Sequence, residues 1–392
     1  MRNIKTLIAS GVVAASVGTT GAVAADLPVA PEPVDYVRVC DAFGTGFFYI
    51  PGTETCLRIS GRVRAEYRFN NYGDRPNNWN RTSDGTSTRA RGILRLDART
   101  NSEYGLVRSY IDMYMQRDSG GSSYVLDQAF IQFGNFTFGR TQSMFDFWTG
   151  YSYGNFHTVY TDYKNWIAAY TAAFGNGMSA TLSVEDGTTR RWNLVGGGDA
   201  YAGHRYPDLI AHLRIEQGWG SAQIMGALHD VRYAAANTKG DVGFAIGAGV
   251  QLNVPVFGAT DNIAFQAVYA DGASGYVQDT WDDLSATPQI TDAIFAGGKS
   301  RTTKTWAIGA GFLHNFSDQL EGSIEANYAN ADAFGSTNDF NMWGGNLNLV
   351  WKPVDGLSIG TEVAYRNFDF HRSSVQKDRN EVYTSLRIER SF

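Results

Sequence analysis

The chain has 392 residues, with 33 basic and 39 acidic side chains and a formal net charge of −6. That mildly acidic balance argues against nucleic-acid binding, which requires a basic surface, and beyond the first residues no stretch reaches the ~18 consecutive apolar positions of a membrane-spanning helix. With 44 Gly, 23 Phe, 21 Tyr and 9 Trp but only 9 Pro and 2 Cys, the composition suits many strands and turns and not a disordered chain.

"MRNIK" is basic, "TLIASGVVAASVG" is apolar, and Ala22 and Ala24 flank Val23 as a small-x-small cleavage signal. This reads as a secretory signal peptide over 1–24, its apolar core being too short for an anchor helix. Residues 1–25 hold two basic and no acidic side chains, so the exported remainder carries −8. Residues 25–56 read as a proline-rich leader and a loop between Cys40 and Cys56, forming a periplasmic segment. An oxidising compartment permits a bridge between these cysteines, and neither CxxC spacing nor a nearby His supports a redox or metal pair.

From Leu57 onward the period is two. Leu57, Ile59, Val63, Tyr67 and Phe69 share one face, and Arg58, Arg62, Arg64, Glu66 and Arg68 share the other. The next run puts Ala90, Gly92, Leu94, Leu96 and Ala98 opposite Arg89, Arg91, Arg95, Asp97 and Arg99. This alternation recurs in about sixteen strands: 57–69, 89–100, 104–115, 123–133, 135–141, 165–174, 178–185, 206–217, 219–230, 242–253, 261–271, 303–315, 319–330, 340–352, 357–366 and 380–392. Short connections such as "TNSEY", "FGNGM" and "KPVDG" alternate with long ones near 70–88, 142–164, 186–205, 272–302 and 367–379. Short turns at one end and long loops at the other describe an up-and-down transmembrane barrel.

An open sheet would leave backbone groups unpaired in hydrocarbon, so only a closed barrel is viable. An arginine on the lipid face at mid-depth would cost ~2–4 kcal/mol, which turns the arginine faces inward toward water. The fold class is therefore all-β: a 16-stranded antiparallel transmembrane β-barrel over 57–392, with a wide aqueous interior. Aromatics near strand ends, among them Tyr269, Trp306, Tyr328, Trp343 and Tyr365, are expected in interfacial girdles.

Such a tube needs a constriction. "QSMFDFWTGYSYGNFHTVYTDYKN", residues 142–165, is aromatic and glycine-rich, and is expected to fold into the barrel. Its carboxylates are Asp146 and Asp162, and its aromatics include Phe145, Phe147, Trp148 and Tyr151. The basic lining facing it would come from Arg58, Arg62, Arg64, Arg68, Arg91, Arg95, Arg99 and Arg108, since charged walls set which permeants are favoured. These arginines could also pair with Glu66, Asp97 and Asp112 and stiffen the wall. The acidic run around Asp279, Asp282, Asp283 and Asp292 reads as a solvated loop, because no EF-hand spacing is present.

His157, His204, His212, His229, His314 and His371 are scattered without metal-ligand spacing, and no GxSxG occurs. No catalytic residue, metal or cofactor is expected, and the chain does not read as an enzyme.

"YVRVCDAFGTGFFYIPGTETCLRISGRVR" (Tyr36 to Arg64) resembles the start of the general porins of alphaproteobacteria. "AFIQFGNFTFGRTQSMFDF" (Ala129 to Phe147) looks like the approach to that family's constriction loop, and "EVYTSLRIERSF" resembles its terminal strand. The resemblance implies a trimeric, water-filled channel of the bacterial outer membrane, bounded by lipid and lipopolysaccharide, that passes ions and small hydrophilic solutes by passive diffusion. The alternatives are a substrate-selective channel using the loop aromatics as a track for sugars, and an outer-membrane enzyme or structural anchor without a pore.

Overall fold

The computed structural model describes residues 38–74, 77–154, 161–255, 258, 260–278, 290–335, 339–371 and 377–392. The signal peptide, the leader up to residue 37, His157, Asp279, Asp282 and Asp283 lie outside the described residues, as does the side chain of His371.

Sixteen long strands make the barrel: β1 (Cys56–Phe69), β2 (Thr86–Ser102), β3 (Gly105–Asp118), β4 (Gly121–Phe133), β5 (Phe136–Gln142), β6 (Lys164–Gly175), β7 (Met178–Glu185), β8 (Asp208–Gln217), β9 (Gly220–Val231), β10 (Asp241–Asn253), β11 (Asn262–Asp271), β12 (Lys304–Ser317), β13 (Leu320–Asp332), β14 (Asp339–Val354), β15 (Leu357–His371) and β16 (Arg379–Ser391). Each pairs antiparallel with its neighbour in sequence, and β1 closes the cylinder against β16 from Arg62↔Ser391 to Phe69↔Thr384. Closure leaves no open edge in the membrane.

Burial follows the alternation. On β1 Val63 is 59% exposed, whereas Arg64 is 5% and Glu66 4% exposed. Large apolar side chains such as Ile224, Leu347 and Ile388 also lie on the outer surface. Apolar outside and charged inside inverts the pattern of a soluble protein, as a membrane barrel requires. Phe244, Tyr269, Trp306, Tyr328, Trp343 and Tyr365 sit in one band, with Tyr269 directly opposite Trp306 and Tyr328 opposite Trp343. Ring centroids are 5.3 Å apart for Trp306 and Tyr328 and 5.1 Å for Trp343 and Tyr365.

At the short-turn end β16 stops where Phe392 and Gly61 exchange backbone hydrogen bonds of 3.0 Å. The start of β1 therefore overhangs its neighbour. A two-residue strand, Phe48–Tyr49, covers that edge by pairing with Leu57 and Cys56, and a Cys40–Cys56 disulfide ties the hairpin down. Phe47 packs inside this hairpin against Arg58 and Arg99, each 5.0 Å from its ring.

The interior is not uniformly aqueous. Toward the long-loop end, inward residues of the later strands, including Met225, Val268, Phe340, Met342, Phe368 and Phe370, form an apolar cluster with Tyr276, Val277 and Ile290 from the loop before β12. Three short strands absent from the sequence expectation, Asn193–Val195, Thr291–Ala296 and Lys299–Thr302, pair into a small sheet within the loops. Their runs are too short for the alternation to stand out. Asp292, expected in a solvated loop, is fully buried and accepts from Tyr201 Oη, Trp192 N and Ser274 N at 2.6, 2.8 and 2.9 Å. Burial pushes its carboxyl pKa up.

Candidate functional site

The 143–163 loop leaves the sheet at Gln142 and returns at Lys164. Its first half follows the inner wall strand by strand. His212 Nδ1 on β8 donates to Met144 O at 2.6 Å, and Gln223 Nε2 on β9 donates to Phe145 O at 3.4 Å. Trp148 N donates to Gln266 on β11 at 3.0 Å, and Tyr151 N donates to Glu325 on β13. Asn348 Nδ2 on β14 donates to Tyr151 O at 2.8 Å, while Ser152 Oγ (2.9 Å) and Tyr153 N donate to Glu362 on β15. The loop thus lies along the wall from β8 to β15.

The sequence permits this course because the wall offers acceptors and gaps. Glu325 and Glu362 are 3% and 0% exposed and receive backbone N–H groups from the loop; a charged acceptor strengthens each such bond. Inward glycines make room for rings. A Cβ on Gly311 would lie 2.6 Å from Trp148 and 2.9 Å from Tyr151, and one on Gly360 would lie 2.7 Å from Tyr153. Gly249 stands under Phe147 in the same way. Tyr151 Oη donates to Asn262, and burial pushes its hydroxyl pKa up to about 12, so it is a neutral donor at ordinary pH.

Of the loop aromatics Phe145, Phe147, Trp148 and Tyr151, two turn away from open space. Phe145 is fully buried and Trp148 is 5% exposed, since their rings fill the wall and the apolar cluster instead of lining open lumen. Phe147 and Tyr151 are half-buried over the glycines. Nor does Asp146 face the pore. Its carboxylate accepts from Gln142 Nε2 (2.6 Å), Tyr163 N (2.8 Å), Thr161 Oγ1 and Arg190 Nη2 (2.8 Å), which joins the two ends of the loop. Asp162 stays partly exposed, 3.1 Å from Lys164 Nζ.

Across the lumen, β1–β3 and β16 carry the arginines. Arg62 and Arg64 share Glu389 at 3.1 and 2.8 Å, and Arg68 meets Glu66 at 2.6 Å. Arg95 holds Asp112 at 2.7 Å. Arg99 and Arg108 both bind Asp97, at 2.7 and 2.8 Å, with Arg58 3.7 Å away. Arg91, directly opposite Arg64 in the sheet, is hydrogen-bonded to a neutral group: its Nε donates to Gln116 at 2.8 Å and it lies 4.2 Å from the Tyr114 ring. Glu66, Asp97 and Asp112 are all paired within the wall, and arginines outnumber carboxylates there.

Two further arginines belong to this wall. Arg89 holds Asp118 at 2.7 Å; Arg387 meets Glu66 at 2.6 Å and stacks 4.9 Å from Tyr153 at the loop tip. Both follow from the same alternation, carried one step further along β2 and β16. The anchors Glu325 and Glu362 also sit on the inward parity of their strands; only the register reveals that a loop backbone meets them.

The model of a porin subfamily matches residues 26–387. The chain belongs to this porin family. It is an outer-membrane channel for passive diffusion. Porin Omp2b of Brucella abortus (strain 2308) is 29% identical over 415 aligned positions covering both chains completely, and Omp2b of Brucella suis biovar 1 (strain 1330) is equally similar. The fold is shared with the outer membrane channel DcaP of Acinetobacter baumannii, at 18% identity and a TM-score of 0.71 over 88% of this chain and 99% of that one. The anion-selective porin from Comamonas acidovorans has a TM-score of 0.54 at 11% identity, over 86% of this chain and 100% of that one. In this porin the 143–163 loop is laid on the later strands, and the arginines of β1–β3 and β16 pair with carboxylates of the wall.

Proposed function

We propose that ions and small hydrophilic solutes cross this porin between the 143–163 loop and the arginine wall, sorted by size and with a preference for anions. One observation carries the reading. Three carboxylates on the loop side hold the loop, Asp146 through Arg190 and Glu325 and Glu362 through loop N–H groups, and Asp162 is paired with Lys164, whereas on the opposite wall Arg62 and Arg95 keep 30% and 37% of their side-chain surface open and arginines outnumber carboxylates. Walls of Arg and Lys favour anions. Planar-bilayer recording in a potassium chloride gradient tests it: the zero-current potential should have the sign of chloride permeation, and the sign of potassium permeation would refute it.

Size selection without a bound substrate is the reading favoured over a sugar track, because Phe145 and Trp148 offer no open ring face. Liposome swelling should fall smoothly with solute size and show no saturation by any one sugar. We further propose a homotrimer in contact with lipid and lipopolysaccharide along the apolar band. Small outward residues such as Gly92, where an added Cβ would meet nothing within 4 Å, allow close approach of a second barrel. Cross-linking in mild detergent that yields monomer at every concentration would sink it.

A further inference from the structure

The constriction loop is gripped from the pore wall below, but also from above, by a residue of a different loop. After β7 the chain makes a 3-10 turn, Gly187–Arg190, whose start is capped by Asp186 accepting from Thr188 N. The turn drives Arg190 into the barrel, where its side chain is 0% exposed. One nitrogen, Nη2, donates to Asp146 Oδ1 at 2.8 Å, and the other, Nη1, donates to Gly275 O at 3.0 Å. The guanidinium lies 4.5 Å from the Tyr163 ring and 4.3 Å from the Tyr276 ring. Tyr276 is held in turn through Oη to Asp208 at 2.6 Å.

We propose that Arg190 is a positioning residue for permeation, a latch that sets the width and the charge of the constriction by fixing the closed base of the 143–163 loop to the outer loops. Three elements meet on this one side chain: the constriction loop through Asp146 and Tyr163, the turn after β7, and the 274–276 turn through Gly275 and Tyr276. Asp146 alone joins Gln142 at one end of the loop to Thr161 and Tyr163 at the other. A buried carboxylate that loses its partner cation must find water or another partner; Asp146 would keep Gln142, Thr161 and Tyr163 as donors but carry an uncompensated charge. Releasing the latch therefore moves the loop base and turns a hidden negative charge toward the permeation path. The planar fork is needed, since a lysine could hold one of the two acceptors but not both in fixed geometry.

This inference rests on the pore running past the 143–163 loop. It is tested by single-channel recording of Arg190→Ala beside the wild type in a potassium chloride gradient, with heat-denaturation of the same samples. The expected result is loss of the single open level into several sublevels, with the zero-current potential moved toward potassium. A lowered melting temperature with unchanged conductance and unchanged zero-current potential would reduce Arg190 to a structural role and overturn the proposal. Should Arg190→Ala not assemble, Arg190→Lys and Asp146→Asn provide the same reading, with sublevels expected in both and wild-type traces in both refuting it. A potassium-selective wild type would overturn the anion preference, while the sublevels of the variant would still report on the latch.

Discussion

Gly311→Ala is the most direct probe of how the constriction is seated. The added Cβ would stand 2.6 Å from Trp148 Cζ2 and 2.9 Å from Tyr151 Cδ2, where carbon atoms at rest are about 3.5–4.0 Å apart. Something must therefore move by about 1 Å. The Gly311 backbone is fixed on both sides, opposite Ala264 on β11 and Glu325 on β13. The two rings are carried by a loop with open lumen on its other side, so the loop yields. Overpacking of this kind costs about 1–3 kcal/mol, and the displaced loop narrows the pore. Thermal unfolding should show the lower stability, and bilayer recording should show a smaller unitary conductance. Gly203→Ala, at an exposed loop position with nothing within 4 Å, should alter neither. If Gly311→Ala loses stability at full conductance, the rings retreat somewhere other than the lumen and the seating argument fails.

Glu362→Gln keeps the shape of the acceptor for Ser152 and Tyr153 but removes its charge; bonds to charged groups exceed neutral ones by about 1 kcal/mol, and the loop tip should loosen, read as added open-channel noise. Arg91→Ala with Arg95→Ala removes one guanidinium hydrogen-bonded to Gln116 and one that is partly open, so the zero-current potential should move toward potassium; the second change also leaves the buried Asp112 without its cation, so the melting temperature should fall. Cys40→Ser unties a hairpin closed over a sequence separation of 16, which should cost about 3 kcal/mol in the chain-entropy account and should speed tryptic cleavage at Arg38 and Arg58.

The two halves of the barrel differ in how plainly they are written. On β1 and β2 the period of two alone says which face meets lipid, because the penalty for arginine in hydrocarbon admits one answer, and the partners lie within the wall: Arg95 and Asp112 are directly opposite on neighbouring strands, and Arg99 and Asp97 are two residues apart. Such pairs can be read from alternation and register. Asp146 and Arg190 cannot, since they belong to separate loops and meet only after both have folded inward. An aspartate in an aromatic loop thus reads as lumenal when it is a buried fastening.

The later wall carries its information as vacancy. Where the loop lies, its inward positions include Gly249, Gly311 and Gly360, amides such as Gln266 and Asn348, and acids at Glu325 and Glu362; arginines are fewer there than on the early strands, with Arg214 on β8 and Arg366 on β15. Charge concentrated on one arc and mostly small or amide residues on the other suits a loop that lies against one side: rings fit over glycine and loop N–H groups find acceptors, while Arg214 meets the Phe147 ring at 5.4 Å and Arg387 the Tyr153 ring at 4.9 Å. The same segregation leaves the arginines facing water, where they still act on a passing ion. The position of the loop is thereby set by where the wall offers glycines and acceptors, as much as by the loop's own sequence. Placing an arginine at Gly311 would set a cation under Trp148, and should expel the loop where alanine only shifts it.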